Sequence, residues 1–301
     1  MKNFLENINC PLCKSKNFKI IKKAKYKNYD INTINKIYSS SSEIKLIDQL
    51  VKCESCQFIY LNPRIKSSIV LNSYSNSKDE KFISQNDERI NTFKNCLKKI
   101  CKYYDLKNKK ILDIGSAGGA FLKACMDLNL NAQGIEPNKW LVNYAKRNYK
   151  CKIINGTLKN IISRKKYDVV SYWDVFEHLT DLKKEINLIK KTLKKTGLLI
   201  INIPDYDSLP RKLMKSKWPF FLNVHLYYFN ENSLKKILGN KFKIIHKSNH
   251  WQTLKLDYAI YRASNYMPIL KIFNNVFFRK IFKKFSINYY LGQKIYLFKY
   301  V

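Results

Sequence analysis

From residue 110 onward, short apolar runs alternate with stretches whose apolar positions recur at helical spacing. The runs 110–114, 131–136, 151–154, 167–173 and 197–203 read as strands. Between them, 118–129, 139–149 and 182–195 carry an apolar face every three to four residues and read as helices. A helix at 231–238, a strand at 241–247 and a last strand at 294–300 continue the series. Strand-helix alternation of this kind predicts an α/β fold with a doubly wound, mostly parallel seven-stranded sheet. The last two strands are expected to close it as an antiparallel edge pair around a long excursion. A helix at 88–104 leads into the first sheet strand, and the polar run 73–82 reads as a joint.

Upstream of the joint the pattern changes. Residues 1–72 hold short strand-like runs, "FKII" and "FIYL", and two C-x-x-C pairs, Cys10/Cys13 and Cys53/Cys56. Two such pairs can place four thiolates around one tetrahedral zinc ion, leaving no open coordination position, so the metal is expected to be structural. The chain thus divides into a small N-terminal zinc ribbon, 1–72, and a larger α/β domain, 73–301. Excursions from the strand-helix series fall around 205–230 and 258–292. The polar run 39–43 reads as an exposed loop. Metal removal is expected to loosen the N-terminal part and spare the α/β core. Cys96, Cys101, Cys125 and Cys151 lie on helix or strand patterns and read as small apolar residues.

Charge changes the picture less than its size suggests. The 301 residues include 57 Lys or Arg against 22 Asp or Glu, a formal net charge of +35. Only seven of the basic residues are Arg, and Asn and Ile are abundant, a mixture that reads as codon bias. No apolar run is long enough for a secretory leader or a membrane span, so a cytoplasmic protein is expected.

The candidate chemistry sits in "ILDIGSAGGAFL", residues 111–122. A strand breaks into glycines and then a helix, a geometry that brings backbone N–H groups toward an anionic group. The dinucleotide fingerprint needs glycines at the first, third and sixth positions, which are Gly115, Ala117 and Ala120 here. The triphosphate loop needs a Lys-Ser/Thr pair where the chain has Ala120-Phe121. Asp113 before the loop and Glu136 at the end of the next strand remain. A carboxylate at Glu136 suits the two hydroxyls of a ribose, which points to an adenosine cofactor without a pyrophosphate.

"LDIGSAGGAFL", "GIEPN", "YDVVSYWDVFEHLTD" and "LKKTGLLIINIPD" together resemble class I S-adenosylmethionine-dependent methyltransferases, a Rossmann-like family. "CPLC…CESCQFIYLNPR" and "WPFFLNVHLYYFNENSLKKIL" are similar to a bacterial subgroup with an N-terminal zinc-binding segment. The resemblance implies that Asp113, Gly115, Ser116, Ala117, Gly118 and Gly119 hold the methionine part of the cofactor. It assigns the ribose to Glu136, with Pro137 and Asn138 bordering the adenine and Gly156 and Thr157 beside its ring. Trp173 and Asp174 would face the sulfonium end. His178, with His225 in "LNVHLYYF", is the candidate base, and Trp218, Phe220 and Phe221 would wall the acceptor pocket.

Members of that subgroup act on small molecules, so the expected acceptor is a sugar or surface-polysaccharide intermediate, such as a nucleotide sugar or lipid-linked glycan. An RNA methyltransferase is the alternative that the basic charge and zinc ribbon suggest. The chain lacks the Asn/Asp-Pro-Pro-aromatic signature of adenine-amino methyltransferases. A non-catalytic cofactor-binding homologue is a third reading, opposed by the presence of Asp113, Glu136 and Asp174. Residues 258–292, aromatic and basic without an acid, read first as a helical cap over the acceptor pocket. Peripheral contact with an anionic membrane is the other reading of that stretch.

Overall fold

In a computed structural model of the chain, residues 4–27, 30–37, 46–78, 80–161, 166–264 and 268–301 are described. The central sheet has seven strands: β1 Lys110–Ile114, β2 Asn131–Glu136, β3 Ile153–Asn155, β4 Tyr167–Trp173, β5 Leu193–Pro204, β6 Phe242–Asn249 and β7 Gln293–Tyr300. Their spatial order is β6-β7-β5-β4-β1-β2-β3. β7 pairs antiparallel with both β5 and β6, and the ladders joining β5, β4, β1, β2 and β3 are all parallel. The expected doubly wound sheet is therefore present, and its closing antiparallel pair lies at one edge. The strand order reverses between β1 and β4, where such sheets open a crevice at their C-terminal ends.

Helices α1 Asn86–Ile100, α2 Ala120–Asp127, α3 Lys139–Tyr149, α4 Leu182–Thr192 and α5 Glu231–Leu238 complete this unit. β4 and β5 are buried along nearly their whole length, as parallel strands covered on both faces must be. Three helices start on side chains that satisfy otherwise orphaned N–H groups. Asn138 accepts from Leu141, Asp181 from Lys184, and Asn230 forms a reciprocal box with Ser233. Most predicted boundaries match to within two residues. One difference is physical: α2 starts at Ala120, two residues later than expected. Ser116 to Gly119 form a turn, in which Gly119 N–H donates to Ser116 O at 2.9 Å.

The N-terminal region forms a second, four-stranded antiparallel sheet. Phe18–Lys22, Leu50–Cys53 and Ile59–Leu61 supply three strands, and Tyr227–Tyr228, from far along the chain, supplies the fourth. A ladder of rings joins the two sheets, with centroids 5.3 Å apart for Phe58–Phe229, 5.5 Å for Phe229–Phe176 and 5.6 Å for Phe176–Tyr172. Cys10 and Cys53 belong to the same apolar cluster as Leu112 and Tyr172. The N-terminal sheet thus shares its core with the α/β unit.

The run 73–82 is not a loose joint. It contains the end of helix Ser67–Ser75 and the start of helix Glu80–Ile83. Tyr74 O and Ser77 O both accept from Asn138 Nδ2 at 2.8 Å. The predicted loop 39–43 lies outside the described residues. Among the described residues, no helix is long and apolar enough to cross a membrane.

Buried Arg64 ties the N-terminal region to the α/β unit. Its guanidinium donates to Glu6 Oε1 at 2.8 Å, Tyr227 Oη at 2.9 Å and Thr180 O at 3.2 Å. Arg64→Ala removes three charge-assisted bonds and leaves Tyr227 Oη and Thr180 O only their long 3.3 Å bond to each other. A loss of about 3 kcal/mol of unfolding free energy is expected in urea denaturation. A change below about 0.5 kcal/mol contradicts the tying role.

Candidate cofactor and acceptor site

The strand ends around the switch point gather four acidic side chains, Asp113, Glu136 and Glu177 buried and Asp174 half-buried. Asp113, near the end of β1, accepts from Ser171 Oγ at 2.7 Å. Burial raises its carboxyl to about 7. Glu136, ending β2, is fully buried and binds two backbone donors, Ala117 N–H at 2.9 Å and Asn138 N–H at 2.8 Å. Burial raises Glu136 to about 7 as well, partly offset by those bonds and by the Tyr74 hydroxyl. Asp174, just past β4, accepts from Asn202 Nδ2 at 2.8 Å and Gln293 Nε2 at 2.5 Å. Burial lifts it to about 6.

The glycine loop has the tight geometry its sequence calls for. Gly115 adopts φ +71°, and a Cβ there would meet Val175 Cγ2 at 2.5 Å. Ala117 has φ +44°, a conformation that glycine adopts without cost and alanine does not. The alanine at this position therefore keeps the turn and adds strain at that residue.

Beside Asp174 lies a second group. The short 3₁₀ turn Phe176–His178 brings Glu177 and His178 against His225, with ligand-type atoms of all three within 4.8 Å of one another. The His178 and His225 rings are 4.8 Å apart at their centroids, and Phe220 stacks on His225 at 6.3 Å. His178 Nδ1 lies 2.8 Å from the Val224 carbonyl, so that nitrogen carries the proton and Nε2 is the acceptor. Burial lowers His178 to about 4 and pushes His225 well below the usual imidazole range, with the neighbouring imidazole adding to it. Burial moves Glu177 the opposite way, well up, and Asp174 reinforces that shift. Neither Glu177 oxygen has a hydrogen-bond partner, and Asn202 Oδ1 is also unpaired. Orphaned buried polar atoms beside the switch-point crevice mark a place for a polar ligand.

Other predicted residues have different surroundings. The Trp173 ring lies among Phe93, Phe121 and His250, at centroid distances of 5.1, 5.3 and 5.8 Å. Asn138 caps α3 and holds the 74–77 segment. Pro137 O accepts from Asn155 Nδ2 at 2.9 Å. Gly156 N–H donates to Glu136 O at 3.0 Å, and Thr157 N–H to Asn160 Oδ1 at 2.8 Å. Ser116 Oγ donates to Asp113 O at 2.9 Å, and Asn86 Nδ2 to Gly118 O at 3.2 Å. Trp218 is buried and donates to Leu291 O at 2.7 Å. Tyr74, Asn202 and Gln293 escaped the sequence reading: Tyr74 and Gln293 come from stretches outside the quoted motifs, and Asn202 sits in an apolar strand run that gives no sign that its amide meets Asp174.

The four N-terminal cysteines converge. Cys10 and Cys56 Sγ are 3.5 Å apart, as are Cys13 and Cys53 Sγ, and all four lie within 4.8 Å. Thiolates around tetrahedral zinc stand roughly 3.8 Å apart for bonds of about 2.3 Å, so this donor set fits that ion. The two turns are built alike. Lys14 and Gln57 follow them at φ +67° and +66°, and donate to Cys10 O and Cys53 O at 2.9 and 3.0 Å. Burial opposes ionisation of Cys53, yet the N–H groups of Cys56 and Ser55 and the Cys13 thiol lower it to about 7.

The chain belongs to the methyltransferase-domain family, whose model matches residues 86–242. It is 32% identical over 101 residues to a ubiquinone biosynthesis O-methyltransferase of Pelagibacter ubique (strain HTCC1062), covering 32% of this chain and 42% of that one. A protein of the same name in Rickettsia canadensis (strain McKiel) is 29% identical over 112 residues, covering 35% and 48%. The chain thus spans less than half the length of these curated relatives. Among solved structures, a SAM-dependent methyltransferase from Archaeoglobus fulgidus has a TM-score of 0.47 at 18% identity, covering 73% of this chain and 100% of that chain. Magnesium protoporphyrin IX methyltransferase from Synechocystis PCC 6803 also has 0.47, at 15% identity, covering 71% and 84%.

The raised Glu136 carboxyl has a pH signature. A buried acid that titrates near 7 in the folded chain and near its ordinary value when unfolded costs stability as pH rises through that window. Glu136→Gln removes this cost. Relative to the natural chain, the variant is expected to gain up to about 3 kcal/mol between pH 4.5 and 8, read from urea denaturation across pH. A pH-independent difference contradicts the assignment.

Proposed function

We propose that the protein transfers a methyl group from S-adenosylmethionine to a hydroxyl oxygen of a small-molecule acceptor. One observation carries this reading: buried Asp113 and Glu136 and half-buried Asp174 line the ends of adjacent parallel strands, with the His178–His225 pair directly beside Asp174. The match to the methyltransferase-domain family supports it. The names of the curated relatives support oxygen as the accepting atom. Nothing in the site or in those names points to a sugar, so the acceptor is proposed no more narrowly than a hydroxyl-bearing small molecule.

The cofactor supplies an already activated methyl group on a sulfonium, so the chain's task is placement and proton removal. Glu136 would take the ribose hydroxyls, for which the Tyr74 hydroxyl now stands in. Asp113 and the 115–119 loop would hold the amino-acid end. The bonds from Asn202 and Gln293 fix Asp174 against β5 and β7 and keep that wall of the site rigid. His178 is neutral at pH 7, its Nδ1 proton held by Val224 O, and its Nε2 can accept the hydroxyl proton. His225 and Phe220 close off the far side of that imidazole. A structural zinc ion held by Cys10, Cys13, Cys53 and Cys56 would brace the sheet that carries Tyr227 and, beside it, His225.

Two outcomes are expected. His178→Ala should lower kcat by about 10²- to 10⁴-fold with cofactor affinity unchanged in calorimetry, and the natural enzyme should lose activity only as pH falls toward about 4. An unaltered kcat removes His178 as the base. Elemental analysis should find one zinc per chain, and Cys53→Ser should abolish it. Because the sheets share one core, metal loss should impair methyl transfer more than cofactor binding; metal-free protein with full activity refutes the bracing role.

A further inference from the structure

Two surface segments expose aliphatic and aromatic side chains that no part of the core accounts for. In the first, helix Leu209–Met214 and the turn Lys215–Lys217, Leu209 is 66% exposed and Leu213 is 72% exposed. The second is the outer part of the excursion between β6 and β7. Its elements Pro268–Asn274 and Val276–Phe282 pack on helix Leu256–Ser264 and on each other. Phe273, Phe278 and Phe282 form the inner contact, with ring centroids 5.2 to 6.1 Å apart. Ile269, Ile272 and Phe285 remain on the outside, 66%, 60% and 56% exposed.

The segments are tied at their roots. Trp218, at the end of the first, donates to Leu291 O at 2.7 Å, and a Cβ on Gly292 would meet Ser208 Oγ. Leu291 and Gly292 form the root of the second, next to the Gln293 that binds Asp174. Both segments therefore have their roots beside Gln293, whose amide meets Asp174.

Their charge is one-sided. Residues 209–217 contain Arg211, Lys212, Lys215 and Lys217 and no acid, and residues 268–287 contain five Lys or Arg and no acid. Exposed Lys280, Lys283 and Lys284 sit among the outward apolar residues. A face of protruding Leu, Ile and Phe with a basic surround complements an anionic lipid surface, where the apolar side chains enter the headgroup boundary and the lysines meet phosphates. Single-stranded nucleic acid calls instead for exposed planar rings in a basic groove.

We propose that these two segments form a docking surface for an anionic membrane, which presents the acceptor site to the lipid interface. The proposal does not depend on the reaction catalysed. Sedimentation with phosphatidylcholine vesicles, with and without a third of phosphatidylglycerol, tests it. Binding is expected to the anionic vesicles only, fading as salt is raised. Because the whole chain is strongly basic, the deciding comparison keeps net charge constant. The combined variant Leu209→Ser, Leu213→Ser, Ile272→Ser, Phe285→Ser changes only exposed positions and should melt as the natural protein does. It should bind anionic vesicles at least tenfold more weakly. Equal binding by the variant overturns the proposal, since overall charge alone would then account for the affinity. So does an absence of vesicle binding at low salt, with or without binding to RNA.

Discussion

The main chain of Leu226 is used twice. Its N–H donates to Glu177 O at 3.0 Å, and its C=O accepts from Leu61 N–H, also at 3.0 Å. One residue thus joins the N-terminal sheet, the segment carrying His225 and the turn carrying Glu177 and His178. Neighbouring residues repeat the attachment. Phe221 O accepts from Leu46, and Asn223 Oδ1 accepts from Ile47. Glu177, His178 and His225 can share a buried space only because segments from three distant parts of the chain are clamped together there. The cysteine turns, 40 residues apart in sequence, fix the far side of the same sheet.

Much of the α/β unit was legible because its strands are long apolar runs between helices of regular period. "GLLIINIP" cannot be mistaken when every residue from Gly197 to Pro204 is buried. The carboxylates were legible for a related reason. A buried acid at the end of an apolar strand is costly to keep, and Asp113 and Glu136 stand out against their neighbours. Non-local pairing was not legible. "YYF" gives no sign that Tyr227 and Tyr228 join a sheet begun some 200 residues earlier, since two residues carry no period. The same limit hid Asn202 and Gln293, whose amides meet Asp174 from β5 and β7. Tyr74 was masked by its polar surroundings, which read as a joint.

Burial sets the protonation states throughout the site, and it does so in opposite senses. The acids are pushed toward their neutral forms and the imidazoles toward theirs. Near neutrality Asp113 and Glu136 are only partly ionised and both imidazoles are neutral, so the cluster carries less charge than four carboxyls at their ordinary values would. It offers hydrogen-bonding capacity without the repulsion that four ionised acids would create at this distance. The excess positive charge of the chain lies elsewhere, on the surface.

The antiparallel pairing of β6 and β7 has an evolutionary consequence. His250 N–H donates to Gln293 O at 2.9 Å, so the 42 residues between them leave and re-enter the fold at one fixed gate. Once the ends of a loop are pinned, lengthening it is cheap, about 0.6 kcal/mol for each doubling by chain-closure entropy. This gate opens beside Asp174. A lineage can therefore enlarge, shrink or replace what hangs there while the sheet, the carboxylates and the imidazole pair keep their register, so that acceptor choice drifts independently of the machinery that serves it.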